Sequence, residues 1–191
     1  MAILKIVRFP QPYLRQPTRQ VTAVDATVRR LVEDMFETMY TAEGAGLAAI
    51  QVGSPERLFI IDPQVAGRPK SESPLVFINP VIEHLTPETH VRDEGCLSFP
   101  GIFVPVKRSL GTRVRALDLD GNEFVVEAND LDPVTGKAER LFARALQHEH
   151  DHLINRLLVD HVGPVKRQLI KRKLERMTDE EAHRLIMEHG D

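Results

Sequence analysis

The sequence predicts an α+β fold: mostly antiparallel strands packed around a central metal-binding helix, with one helix before them and one closing the chain. Three observations predict it. Residues 28–39 carry apolar side chains at steps of three and four, which puts them on one helical face. Between residues 58 and 126 the apolar residues instead fall in short runs, closed by prolines or by a turn dipeptide. Residues 138–154 return to helical spacing, with Leu141, Ala145, His148 and His152 near one face.

The elements follow in order. Residues 8–19 hold three prolines, Pro10, Pro12 and Pro17, and so form an irregular, extended arm. The first helix buries Val28, Leu31, Val32, Met35, Phe36 and Met39, with Asp25 as its N-cap. Thr41 to Gly46 ends it, because Gly44 and Gly46 cost helix and permit positive φ. Strands are expected at 58–61 and 75–78, closed by Pro63 and Pro80, with a polar loop at 64–73 between them. Residues 81–84 and 102–106 are weaker strands. Residues 112–119 alternate, Asp120-Gly121 marks a hairpin turn, and 124–126 begin the return strand. A helix is expected at 138–154. Pro164 then opens a last helix that runs to about Glu188. No repeat or linker interrupts the chain, so residues 1–191 are expected to be one domain, with 164–189 its C-terminal helix.

Composition narrows the function. The 191 residues suffice for one well-filled core. Charge arithmetic gives 25 − 28 = −3, so no basic field covers the surface and DNA is not an expected partner. One cysteine excludes a disulfide framework. No apolar run has the length of a membrane span, and the start lacks the pattern of a signal peptide. A cytoplasmic, reducing location is the expectation, and no membrane is an expected partner.

The strongest chemical signal is Gln147-His148-Glu149-His150-Asp151-His152-Leu153. Histidines four apart on a helix stack on one face, so both imidazoles can reach one metal ion. Glu149 borders that stripe, where a carboxylate can act as general base on a water held by the metal. His150 reads as part of a solvated face. A catalytic site of this type commonly takes a third protein ligand. The metzincin pattern fails, because Asn155 and Leu158 stand where Gly and His are needed. Glu175 lies at a distance that suits a glutamate ligand, but its neighbours Lys171, Arg172, Lys173 and Arg176 favour a solvated ion pair. Cys96, in Glu94-Gly95-Cys96-Leu97-Ser98, offers a thiolate; the bland alternative is a small buried hydrophobe. Gly95 lets something approach the backbone, and Glu94 is out of place in a plain core strand. A third segment, Gly44-Ala45-Gly46-Leu47-Ala48-Ala49-Ile50-Gln51, is either a small-residue turn or a flat edge against which an extended peptide pairs its backbone.

Together, and in this order, these three segments resemble the signature motifs of peptide deformylase, over roughly residues 4–160. The resemblance implies that Cys96, His148 and His152 are metal ligands and that Glu149 is the catalytic acid/base. It implies that Gln51 and the backbone N–H of Leu97 stabilise the oxyanion. The metal implied is usually Fe²⁺, with Zn²⁺, Ni²⁺ or Co²⁺ able to replace it. The substrates implied are N-formyl-methionyl peptides and nascent chains, with formate as a product. Gly44, Ala45 and Gly46 match the segment expected to pair with the peptide. Leu141 and Ala145, on the His148 face of the helix, are expected to line the methionine pocket. Arg144 either joins them, meets a carboxylate or lies along the surface. Two positions depart from the family pattern: Ile50 stands where proline is common, and Asn155 where glycine often ends the third motif. Neither is an implied ligand, and Asn can still take a left-handed φ to end a helix.

Two other readings remain. A zincin-like endopeptidase would use a glutamate in place of Cys96, and a non-catalytic relative would share the fold without turnover. The intact Glu149 weighs against the second. Lys166, Arg167, Lys171, Arg172, Lys173 and Arg176 form a basic segment of the last helix. It is either a solvated face or a contact for ribosomal RNA near the nascent-chain exit.

Overall fold

A computed structural model describes residues 2–132 and 134–189. Helix α1 (Ala26–Thr41) is followed by strands β1 (Gly46–Ala48), β2 (Leu58–Ile61), β3 (Leu75–Leu85), β4 (Thr89–Glu94), β5 (Val104–Ser109), β6 (Gly111–Leu117) and β7 (Glu123–Asn129). Helices α2 (Phe142–Leu153) and α3 (Pro164–His189) complete the chain. Five strands form one antiparallel sheet in the order β1-β2-β3-β6-β7; β4 and β5 pair separately. The α+β architecture expected from the sequence is therefore present.

Strand β2 shows why the layers stack as they do. All four of its residues are buried, because the sheet is covered on both faces. Phe59 and Ile61 pack toward α2, with Ala143, Leu146 and Leu153. Leu58 and Ile60 point the other way, into a cluster with Val32, Met35 and Met39 of α1. Helix α2 lies against β1, β2, β6 and β7, and it also touches β5. It thus bridges the two sheets. Helix α3 buries Ile170 and Met177 in a third cluster with Leu14, Phe99 and Val104.

Asp25 caps α1, its carboxylate accepting from the Val28 N–H at 3.0 Å. The glycines after α1 act differently from expectation. Glu43 takes the left-handed φ of 54°, and neither Gly44 nor Gly46 has positive φ. They are needed for close approach instead: a Cβ on Gly44 would meet Leu97 Cδ1 at 2.7 Å, and one on Gly46 would meet Glu149 Oε1 at 2.6 Å. Strand β3 does not stop at Pro80 but bends there. Asn79 adopts φ 51° at a register shift, and its amide closes two bonds with the Val21 backbone, at 2.9 and 2.8 Å. Strand β4 was not expected at all. The extended arm tightens into a 3-10 turn at Pro12–Arg15.

Helix α2 starts at Phe142, four residues later than its periodicity suggested. Asp130 sets the start: its two carboxylate oxygens accept from the N–H groups of Ala143 (2.7 Å) and Arg144 (3.0 Å). A cap of this kind contributes about 1 kcal/mol. The last helix begins at Pro164, as read.

Candidate metal centre

Helix α2 carries His148 and His152 on one face, their ring centroids 5.4 Å apart. Cys96 sits in the turn after β4, its carbonyl accepting from Phe99 N–H at 2.8 Å. The thiol sulfur reaches 3.4 Å from His152 Nε2, and ligand atoms of Cys96, His148 and His152 all lie within 4.8 Å of one another. The donor set fits a cation. Metal bonds of about 2.3 Å to sulfur and about 2.0–2.1 Å to nitrogen, at a tetrahedral angle, separate the two donors by about 3.5 Å. Burial works to raise the Cys96 thiol, but the His152 and His148 imidazoles overcome it and bring its pKa down to about 5. A thiolate is the form that binds metal. The site therefore favours a thiolate before any cation arrives.

Glu94 orients one of these donor side chains. Its Oε2 accepts from His148 Nδ1 at 2.9 Å, which leaves Nε2 of that ring to face Cys96 and His152. The same carboxylate receives Arg108 through Nε and Nη2, both at 3.0 Å, and Arg144 Nη1 at 2.6 Å. Burial alone would raise the Glu94 carboxyl; the bonds from His148 and Arg108 hold it well below the usual carboxylate range. Arg108 continues to Asp151 Oδ2 at 2.5 Å, and His161 Nε2 meets the same oxygen at 2.6 Å. Breaking one member of such a buried set leaves its partners charged and unpaired, at a cost of about 3–5 kcal/mol.

Glu149 is 5 % exposed and follows His148 on α2. Its Oε1 sits beneath Gly46, and its Oε2 has no hydrogen-bond partner. Burial raises its carboxyl to about 7, against the pull of the His148 and His152 imidazoles. Gln51 is locked through its Oε1, which accepts from Ala48 N–H at 2.8 Å. Its Nε2 is thereby aimed at Ser98 Oγ (3.1 Å) and Cys96 Sγ (3.4 Å).

A cavity of about 210 Å³ opens beside these groups, lined by Ala45, Gly46, Leu141, Ala145, His148 and Glu149 among others. Gly44 lies behind it, against the Leu97 side chain. Arg144 borders the cavity, but its guanidinium is buried and bonded to Glu94, Val106 O (3.0 Å) and His90 O (2.8 Å). Of the three roles read for it, meeting a carboxylate is the one its bonds express. Glu175 is exposed and pairs with Lys171 at 3.7 Å, so it supplies no third ligand. His150 departs from the solvated face expected for it: burial and then Arg57, 3.4 Å away, press its pKa down to about 4.

Residues 3–168 match the family model described as polypeptide deformylase. The chain belongs to that family. Peptide deformylases from Saccharophagus degradans and Cellvibrio japonicus are 47 % and 49 % identical to it over 176 residues, covering 92 % of this chain and 94 % and 96 % of theirs. The crystal structure of a peptide deformylase from Legionella pneumophila superposes with TM-score 0.81 at 36 % identity, covering 95 % of this chain and 98 % of that one. The Arabidopsis thaliana deformylase 1B bound to an inhibitor gives 0.82 at 32 % identity, over 98 % and 95 %. Deformylases are metal-using hydrolases that remove the N-formyl group from nascent polypeptides. The motifs alone do not reveal the parts played by Arg108, Asp151 and His161, which link Glu94 to a wider buried set. Arg108 was detectable, since Val104, Val106 and Arg108 alternate on the inward face of β5. Among the described residues, no helix is long and apolar enough to cross a membrane.

Proposed function

We propose that Cys96, His148 and His152 hold one divalent cation and that Glu149 moves the proton in hydrolysis of a formyl-methionyl amide. The observation that carries this is the convergence of one sulfur and two imidazoles beside a buried carboxylate oxygen with no partner. Their thiolate and imidazole donors suit Fe²⁺, the ion assigned here, and Zn²⁺, Ni²⁺ or Co²⁺ could stand in for it. A bound cation supplies Lewis acidity toward water and toward the formyl oxygen.

The protein's own groups do the rest. Glu149, with a pKa lifted toward neutrality, accepts the proton of the attacking water and returns it to the leaving nitrogen. The C–N bond breaks, giving formate and a free amine. The Gln51 amide and the Leu97 N–H donate to the formyl oxygen as it gains charge, a stabilisation that is neutral and leaves Glu149 unperturbed. The peptide lies extended between the edges of β1 and β4, each of which has one strand partner among the described residues. Gly44, Ala45 and Gly46 offer it a backbone bare of bulky side chains. Its methionine enters the cavity between Leu141 and Ala145, which Ala145 leaves open by being small.

The whole chain, 1–191, acts as one catalytic domain, since α3 shares a core cluster with Leu14 and Phe99. It works in the cytoplasm, where a reducing medium preserves a lone thiol ligand. The exposed Arg167, Lys171, Arg172, Lys173 and Arg176 of α3, with Lys166, contact ribosomal RNA. Formate release from formyl-Met-Ala-Ser by protein loaded with Fe²⁺ or Ni²⁺ without oxygen tests the reaction; absence of turnover overturns it. Cys96→Ser should lose the metal, and metal retained as in the wild type would overturn Cys96 as a ligand. Replacing Lys171, Arg172 and Lys173 by Glu should abolish co-sedimentation with ribosomes if the RNA contact is real, and unchanged sedimentation overturns it.

A further inference from the structure

Helix α2 presents two sides to two different cavities. Arg144, Ala145, His148 and Glu149 line the catalytic cavity. Gln147, His150, Asp151 and Ile154, spaced by three and four residues, line a separate groove of about 500 Å³. His161 lines that groove too. Nothing in the proposed chemistry uses His161, yet its side chain is only 7 % exposed and its Nε2 lies 2.6 Å from Asp151 Oδ2. Asp151 is next in sequence to the donor His152.

The contacts run without a gap from His161 to the metal centre. Asp151 Oδ2 also accepts from Arg108 Nη1, at 2.5 Å. Arg108 turns two further donors, Nε and Nη2, to Glu94, and Glu94 accepts from His148 Nδ1 at 2.9 Å. Arg108, Glu94 and Asp151 are all buried, so water competes little for these bonds.

The order of dependence follows from how each group is held. His161 ends a 3-10 turn, Leu158–His161. Leu158 and Val159 are buried in one cluster with Val104 and Val106 of β5. Asp160 accepts two bonds from the Arg15 guanidinium, both at 2.8 Å. The turn is therefore fixed without help from the bond that His161 makes. Arg108 is different, because a guanidinium on a long flexible stem presents a fixed fork only when its donors are pinned. Asp151 pins Nη1, and His161 fixes the Asp151 oxygen that does so. We propose that His161 is a positioning residue for the metal centre: by fixing Asp151 it holds Arg108, and through Arg108 it holds the Glu94 carboxylate that orients His148. This rests on the reading of His148 as a metal ligand. His161 itself touches neither the substrate nor the cation.

Removing a group that bonds a metal ligand directly costs about 10–100-fold in affinity, and couplings inside one hydrogen-bonded network start at about twofold. His161 stands three contacts beyond Glu94, so its loss should fall between these limits. The test reads Ni²⁺ affinity of the full chain by competition with a chelator, with folding checked by circular dichroism. His161→Ala should weaken binding about three- to tenfold. His161→Gln, whose amide can still donate to Asp151, should stay within about twofold of the wild type. In a Glu94→Gln background, where the last link is already weakened, His161→Ala should change affinity by less than about twofold. The kcat per bound metal should stay at the wild-type value. Wild-type affinity in His161→Ala overturns the proposal. A loss of equal size in both backgrounds, which a purely structural role predicts, also overturns it, as does a lower kcat at full occupancy. If the alanine variant does not fold, His161→Phe, which keeps a ring without a donor, is compared with His161→Gln. Weaker binding by the phenylalanine variant alone supports the proposal, and equal affinities overturn it. A wild type that binds no Ni²⁺ would instead bring down the metal reading itself, a result distinct from binding that ignores residue 161.

Discussion

Gly46→Ala should disable the proton-transfer step while sparing the metal. A methyl group at residue 46 would sit 2.6 Å from Glu149 Oε1, 2.9 Å from its Cδ and 3.0 Å from its Cγ. Ordinary contact begins at 3.4 Å, so the carboxylate must retreat by about 0.8 Å (3.4 − 2.6). The backbone at 46 has ordinary φ and pairs with Ile61 in β2, so alanine fits the strand itself. Neither imidazole nor the thiol lies among the nearest atoms the methyl meets. A displacement near 1 Å of a reacting group costs about 10²-fold in rate, or about 2.7 kcal/mol of barrier. The assay is formate release from a formyl-Met peptide, with metal content measured on the same sample. The expected result is kcat down about a hundredfold at wild-type metal occupancy. A kcat within threefold of wild type would show that Glu149 has room to move without penalty. Loss of metal would show that the methyl acts on the ligands. Either result refutes the reasoning.

Three further outcomes are expected. Glu94→Gln should weaken metal binding about 10–100-fold, read by competition with a chelator, because His148 loses its charged orienting partner; unchanged affinity would mean that α2 alone orients the ring. Gln51→Leu should lower kcat about 10²–10³-fold with metal retained if its Nε2 donates to the formyl oxygen, and a change confined to KM would refute that role. His150 stays neutral in the folded protein down to about pH 4, whereas the unfolded chain protonates it near 6.5. The unfolded state binds the extra proton between those values, so stability falls as pH drops from 6.5 to 4, by up to about 3 kcal/mol. Denaturant titrations of His150→Gln should show a flatter pH dependence over that window, and an identical slope would contradict it.

What the sequence made legible was what depends on neighbours along the chain. The face of α1, the run Leu58–Ile61, the turn at Gly121 and the pair His148 and His152 follow from local periodicity, and each is in place. Strand β4 was invisible because Thr89 to Asp93 are all exposed and mostly polar, with no apolar alternation to read. Pro80 suggested a strand end, but Asn79 absorbs the irregularity by bonding to Val21, 58 positions away. Residues 138–141 looked helical, yet the helix starts where Asp130 caps it, at a separation no local pattern reports. In the site, the three clustered donors Cys96, His148 and His152 were legible as motifs. The orienting role of Glu94 depends on Arg108 and Arg144 arriving from two other elements, which only the fold brings together.

An open strand edge invites another molecule to add a strand and begin a stack, the first step toward insoluble aggregates. Strand β1 limits that hazard by its length of three residues and by Gln51, whose side-chain oxygen occupies the Ala48 N–H. The side chain that reaches Cys96 and Ser98 therefore also shortens the stretch of backbone open to intruders. A variant at Gln51 would then be expected to lose solubility on storage as well as turnover, for reasons unconnected with chemistry.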